Sequence, residues 1–158
     1  MGILINEFLI KGTARPVSRP RVFTNRGGIT RAIRNPKDVA WEKSIISQVL
    51  ANKPHFFSRD IPIKVICFAF YKKPKDATYD YAISHSLGDN DNWLKGILDA
   101  LQSKMIKVGK LRVKQKGLCF EDDAQVVRLV GEKAYTTKED YVILRITDEL
   151  YNREVENL

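Results

Sequence analysis

The 158-residue chain carries 27 Lys and Arg against 19 Asp and Glu, a formal net charge of +8 with a pI near 9.5. Its 44% hydrophobic and 29% charged residues suit one folded domain with a real core and exclude a disordered or fibrous chain. No apolar run approaches the roughly 20 residues that span a bilayer, and Glu7 interrupts the apolar start where a secretory signal would need an unbroken stretch.

Cys67 and Cys119 are far apart and form no Cys-x-x-Cys pair, so they are read as packing residues of a reduced, cytoplasmic protein. The basic charge is unevenly placed. Lys11 to Lys37 holds eight Lys and Arg and no acid, and Lys104 to Lys116 holds six and again no acid. Such runs are either solvated loops or surfaces for an anionic partner such as nucleic acid.

In chain order, Glu7 to Gly12 reads as a first strand. Residues 13–35 are rich in Pro, Gly and Arg and read as an irregular basic loop around the Gly27-Gly28 turn. Asn35-Pro36 supplies a helix cap followed by proline at the first helical position. Trp41, Ile45, Ile46, Val49 and Leu50 then repeat at helical spacing, which predicts an amphipathic helix over 36–51. Residues 61–73 are β-branched and aromatic on both faces, as a central strand would be.

The connection 74–88 is long, polar and irregular, which marks a candidate functional loop. Leu94, Ile97, Leu98 and Leu101 stand at i, i+3, i+4 and i+7, a helix with one apolar face. Residues 103–118 alternate apolar and basic residues around Gly109 and read as a basic hairpin. Residues 124–133 and 140–148 read as strands, paired as a hairpin, and the tail from Glu149 as helical or frayed. The order β-α-β-α-β-β gives one α+β domain with a small mixed sheet.

Two acidic clusters stand out against the basic background. Asp89 and Asp91 are two apart in an extended approach to a helix, so both face one side. Two such carboxylates repel unless a cation sits between them, and Mg²⁺ or Mn²⁺ prefers oxygen ligands. Asp91, Lys95 and Asp99 follow at i, i+4 and i+8, opposite the leucines. A cap and an exposed ion-pair ladder would explain the same residues without a metal. An EF-hand reading fails, because the required Gly and Glu positions hold Leu94 and Ala100. Asp122 and Asp123 read as the start of a strand, where neighbours face opposite ways, so at most one shares a site with Asp89 and Asp91. A strand end meeting a helix start would then gather three carboxylates, with Lys95 one turn along to hold a phosphate. His55 and His85 are isolated; a substrate contact for His85 is conceivable, and a surface role is the plainer reading.

Three blocks resemble the RusA-type Holliday junction resolvases, endonucleases of bacteria and their phages. "DNDNWLKGILDAL" resembles the family's Asp-x-Asp-Asn-Leu-x-Lys-x-x-x-Asp-Ala-Leu signature. "EDDAQVVRLVGEK" resembles its Asp-Asp-x-Gln-Val strand with a later lysine, here Lys133. "KGTARPVSRPRV" resembles an early Gly-x-Pro-x-x-x-Arg-Pro-Arg block.

The resemblance implies a homodimeric, Mg²⁺-dependent enzyme, with Mn²⁺ as a substitute, that cuts four-way DNA junctions by paired nicks and leaves 5′-phosphate and 3′-hydroxyl ends. It implies no small-molecule cofactor. Asp89, Asp91 and Asp123 match the metal-binding acids and Lys95 the catalytic lysine. Asp122 is placed in support, and Asp99 is read as an ion-pair partner of Lys95. Arg15, Arg19, Arg21, Arg26, Arg31, Lys107, Lys110, Arg112, Lys114 and Lys133 are assigned to DNA contact. Gly88 stands where many members have proline, and the link from Gln102 to Glu121 is longer than the family's usual one. Rival functions are a nuclease of flaps or other branched replication intermediates, and a basic DNA-binding protein without catalysis.

Overall fold

A computed structural model describes residues 5–83 and 87–148. His85 and the tail from Glu149 lie outside the described residues. The elements are β1 (Ile5–Lys11), β2 (Arg21–Thr24), β3 (Thr30–Ile33), α1 (Pro36–Ala51), β4 (Ile63–Lys72), α2 (Asn90–Leu101), β5 (Lys104–Val108), β6 (Leu111–Gln115), β7 (Val126–Thr136) and β8 (Tyr141–Asp148). The architecture is α+β: a four-stranded mixed sheet in the order β1-β8-β4-β7, two helices, and two separate hairpins, β2–β3 and β5–β6.

Local chemistry accounts for the elements. Asn35 caps α1 through its side chain to the Lys37 N–H, and Pro36 opens the helix without wasting a donor. Trp41, Ile45 and Val49 bury one stripe of that helix. On α2 the stripe is Trp93, Leu94, Ile97, Leu98 and Leu101. Both stripes share one core with the inward faces of β1, β4 and β8, which include Phe8, Ile10, Val65, Cys67, Leu144 and Ile146. Cys67 and Cys119 are buried free thiols, and burial pushes the Cys119 thiol up to about 12. His55 joins its backbone to the Asn6 amide at 2.7 and 2.8 Å and sets its ring edge-on to Phe57.

The expected hairpin of β7 and β8 does not form. β7 pairs parallel with β4 and β8 pairs antiparallel with the other edge of β4, so β4 separates them. The four residues between β7 and β8 straddle the end of β4, where Lys73 N–H donates to the Thr136 carbonyl at 2.9 Å and Lys72 N–H to Asp140 at 2.7 Å. Four residues can cover the roughly 10 Å of two strand spacings. β4 is the strand apolar on both faces, and the centre buries it best.

The irregular loop expected over 13–35 contains the β2–β3 hairpin, with Arg21 opposite Ile33 and Phe23 opposite Arg31. Around Gly109, β5 and β6 pair as an amphipathic hairpin. Ile106–Val113 and Val108–Leu111 form one face and Lys107–Arg112 the other. Isolated two-stranded ribbons are marginal in water, so their tethers matter. Arg34, next to β3, donates to Glu42 on α1 at 2.5 Å, and Lys104 at the start of β5 donates to the same carboxylate. Burial alone would push Glu42 up, but hydrogen bonds from Lys104 and then Arg34 outweigh it and hold the carboxyl below its ordinary value.

The second face of the sheet carries no helix among the described residues. Leu9, Ile143 and Phe68 stand side by side across β1, β8 and β4. Phe70 stacks on Tyr141 with ring centroids 4.6 Å apart. No helix among the described residues is long and apolar enough to cross a membrane.

Candidate functional site

α2 presents Asp91, Lys95 and Asp99 on the side opposite its buried stripe. Its seat is set by β7. A Cβ on Gly131 would meet Leu94 at 2.3 Å, so glycine lets the helix come down onto the sheet. At the N-terminal end the backbone is clamped by neutral and lysine donors. Lys133 Nζ donates to the Gly88 carbonyl at 2.6 Å, the Asn90 amide to the Gly131 carbonyl at 3.1 Å, and the Trp93 indole N–H to Asn90 at 3.1 Å. Val17 N–H donates to Asn92 at 3.1 Å. Gly88 turns with φ +74° and sits against Pro16, where a Cβ would clash at 2.7 Å. That explains glycine where proline was expected from the resemblance.

This clamp leaves the carboxylates free. Asp89 occupies the cap position of α2 without making a side-chain cap bond. Among the described residues neither Asp89 nor Asp91 forms a hydrogen bond or ion pair through its carboxylate. The helix-capping alternative therefore fails for Asp89. Lys95 is likewise uncommitted, and the expected Lys95–Asp99 ion pair is absent among the described residues.

Asp99 turns instead toward the other end of the helix. Gln102 bridges it to the second acidic cluster: its amide donates to Asp99 at 3.0 Å, and its carbonyl accepts the Asp123 N–H at 3.0 Å. Asp122 and Asp123 do not begin a strand. Asp122 caps a 3₁₀ turn over Asp123–Gln125, and β7 starts only at Val126. The strand-face argument that separated the two acids therefore does not apply. Asp122 accepts the Ala124 N–H at 2.9 Å, while buried Gln125 accepts from the backbone N–H groups of Glu121 and Asp122 and anchors the turn to the Ser58 and Ile61 carbonyls.

The electrostatics follow from this crowding. The Ala124 N–H, then a hydrogen bond with Asp123, holds Asp122 below the ordinary carboxylate value. The hydrogen bond with Asp122, partial burial, and the charges of Asp122 and Asp99 push Asp123 up. Two carboxylates that share a hydrogen bond need a proton or a cation between them. Hard oxygen donors crowded in this way fit a divalent cation such as Mg²⁺ in kind. Their spacing is another matter. Asp123 lies by Asp99, and Asp91 and Asp99 are eight residues, roughly 12 Å, apart along the helix. Among the described residues no three acids converge as a ready-made metal cage. The structure thus groups Asp99, Asp122 and Asp123 at one end of α2, Asp89 and Asp91 at the other, and Lys95 between them.

The basic residues divide in the same way. Arg15 is drawn onto buried Asp38 at 3.4 Å, Lys114 pairs with Glu121, and Lys133 donates to the Gly88 loop. Arg19, Arg21, Arg26, Arg31, Lys107, Lys110 and Arg112 are exposed and form no ion pair among the described residues. A small cleft lined by Arg15, Arg34, Glu42 and Asp99 joins the arginine-rich segment to the acidic end of α2. Beside Asp122, Arg59, Lys104 and Lys114 line a second hollow. Sequence reasoning missed Gln102 and Arg59. Asp122-x-x-Gln125 did carry a signal, because that spacing is a capping box.

A search of curated proteins returned no match. The family model of endodeoxyribonuclease RusA matches residues 11–147. That span takes in the clamped Asp89 loop, α2 and the Asp122–Asp123 turn, and the chain belongs to the RusA endodeoxyribonuclease family.

Proposed function

We propose that the protein resolves four-way DNA junctions by paired, Mg²⁺-dependent nicks. The observation that carries this reading is Lys95: a cation without a partner among the described residues, flanked by acids at both ends of α2, in a chain whose exposed arginines and lysines form no ion pair among those residues. Membership of the family implies a junction-resolving endonuclease.

In this reading Asp123, with Asp122 and Asp99 beside it, and Asp89 and Asp91 at the other end are the residues that would hold Mg²⁺. A divalent cation there supplies Lewis-acid charge for phosphodiester hydrolysis, and Mn²⁺ supplies it too. Lys95 contacts the scissile phosphate and offsets the negative charge that grows on it. Gln102 orients Asp99 and fixes the backbone of Asp123. Arg19, Arg21, Arg26, Arg31, Lys107, Lys110 and Arg112 hold the DNA backbone.

Resolution needs two matched cuts, which a two-fold dimer provides. A second copy of this chain would cover the open sheet face, where the Leu9–Ile143–Phe68 row crosses three strands with no helix over it among the described residues. Phe68→Glu should yield monomers in sedimentation and unpaired nicks.

The deciding experiment compares a mobile four-way junction, a flap and a plain duplex, each in Mg²⁺ and in EDTA. Symmetric nicks in the junction alone, lost in EDTA, are expected. Preferred cleavage of the flap would move the substrate to replication intermediates, and binding without nicks in any substrate would leave a DNA-binding protein.

A further inference from the structure

The β2–β3 hairpin is exposed along its whole length, yet Phe23 remains 54% exposed on it. By register, Arg21, Phe23, Arg31 and Ile33 share one face. Arg21, Phe23 and Ile33 of that face form one wall of a groove of about 430 Å³. Ser18, Arg19, Arg34 and the start of α1 at Asn35 and Pro36 form the rest. The volume lies within the roughly 300–1,000 Å³ of small-molecule sites.

The charges of the groove are not balanced by ion pairs among the described residues. The two acids closest in sequence on α1 are already engaged: Asp38 by Arg15 and the Ser18 N–H, and Glu42 by Arg34 and Lys104. Arg19 and Arg21 form no ion pair or side-chain hydrogen bond among the described residues. The N-terminus of α1 adds its partial positive charge. An exposed aromatic ring among free guanidinium groups matches the two halves of a nucleotide. The ring takes a base face, and the guanidinium groups take the phosphates on either side. A paired base keeps both faces stacked in the duplex and cannot offer one to Phe23.

We propose that this groove is a subsite for one unpaired nucleotide of branched DNA, with its base on Phe23 and its flanking phosphates on Arg19 and Arg21. The inference rests on the reading of the protein as a DNA enzyme. It adds that the bound junction opens at its branch point far enough to expose one unpaired base. Arg34 lines both this groove and the cleft that Asp99 enters, so the groove opens beside the acidic end of α2.

The test uses the full chain in EDTA, with a single-stranded oligonucleotide carrying one 2-aminopurine and a fully paired duplex of the same length. Phe23→Ala should weaken single-strand binding about tenfold and leave duplex binding within about twofold. Phe23→Tyr should keep single-strand affinity and the 2-aminopurine quenching that Phe23→Ala loses. The joint Arg19→Gln, Arg21→Gln variant should weaken both substrates and flatten the salt dependence. Phe23 is half exposed, and an unchanged thermal midpoint checks that its replacement leaves the fold intact. Equal loss on both substrates, or loss on neither, overturns the subsite while the junction-cleavage assay still reports on the enzyme. A protein that binds neither substrate overturns the subsite, and the junction-cleavage assay then decides the DNA reading by itself.

Discussion

The two ends of α2 hold carboxylates in opposite ways. At the N-terminal end the backbone is fixed and the carboxylates are free: Lys133, Asn90 and Asn92 hold the chain, and the Asp89 and Asp91 carboxylates hold no partner among the described residues. At the C-terminal end the carboxylates crowd each other: neighbouring Asp122 and the charge of Asp99 push the Asp123 carboxyl up, with Asp99 drawn in through Gln102. The first arrangement costs little, because carboxylates near a helix N-terminus meet favourable partial charge. The second is strained by repulsion and gains most from a cation.

The largest effects should come from the acids. Asp89→Asn, Asp91→Asn and Asp123→Asn are each expected to lower junction cleavage by about 10²-fold or more while junction binding holds or tightens. Their stabilities should part. Asp123 is raised in the fold, so its protonated form is favoured. The penalty for its charge is absent at pH values below the ordinary carboxylate value and grows as pH rises. Without divalent ions near neutral pH, Asp123→Asn should therefore melt higher than the parent chain, and Asp91→Asn should not. Added Mn²⁺ should raise the melting temperature of the parent and not that of Asp123→Asn. Thermal melts with and without Mn²⁺ read both; equal behaviour of the two variants would erase the contrast between the ends.

Next comes the lysine between the ends against the lysine behind one of them. Lys95→Ala should slow single-turnover cleavage at least tenfold, about 1.4 kcal/mol of barrier, with little change in affinity. Lys133→Met acts only through the Gly88 loop, so its loss should be smaller and should include a raised Mg²⁺ requirement. Lys133→Arg should restore part of it. Single-turnover rates across a Mg²⁺ series separate the two. A Lys133 variant that loses salt-dependent DNA affinity instead would return that residue to the DNA-contacting set.

How much of this was legible in the sequence depended on the range of the signal. Asn35-Pro36 and the Trp41–Val49 spacing are local, and α1 runs from Pro36 to Ala51 as they require. The two-sided apolar pattern of 61–73 placed β4 at the centre, and the leucine stripe placed α2. Strand alternation says that a segment is a strand but not which neighbour it takes, so the pairing of β7 with β4 was invisible. β2–β3 was hidden by its arginines, although Asn25 to Gly28 is a turn signal between two short alternating runs. At the site, spacing singles out the acids and Lys95, although α2 begins at Asn90, so Asp91 stands in its first turn and not in an extended approach. Gln102, a long-range bridge between a helix end and a turn, has no local pattern to reveal it.

The basic hairpin tests whether charge outside the acidic ends matters to binding. Replacing Lys107, Lys110, Arg112 and Lys114 with Gln should reduce the slope of log K against log salt by about one unit for each DNA phosphate that no longer meets a cation. Lys114 is paired with Glu121, so it should contribute less than the other three. Junction binding across a salt series measures this. An unchanged slope in a variant that still folds would leave the arginine-rich segment as the main electrostatic surface for DNA.

The smallest effect concerns the tether that both hairpins share with the acidic end of α2. Glu42 receives Arg34 from the β2–β3 side and Lys104 from the β5–β6 side, and it lines the same cleft as Asp99. Neither ribbon has a core of its own, so this carboxylate does for the hairpins what Lys133 does for the Gly88 loop: it fixes position without entering the chemistry. Its folded-state value is depressed. Its contribution is therefore present above the ordinary carboxylate value of 4.5 and is lost as pH falls through the lower folded value. A partly exposed ion-pair network of this size contributes on the order of 1 kcal/mol, or about 3 °C in melting temperature for a chain of this length. Glu42→Gln should show that deficit near neutral pH, and the deficit should shrink as the pH is lowered below 4.5. Melting curves of both chains from neutral pH down to the acid limb measure it. A deficit that stayed constant across that range would mean that Glu42 acts by packing alone, and the two hairpins would then need another tether.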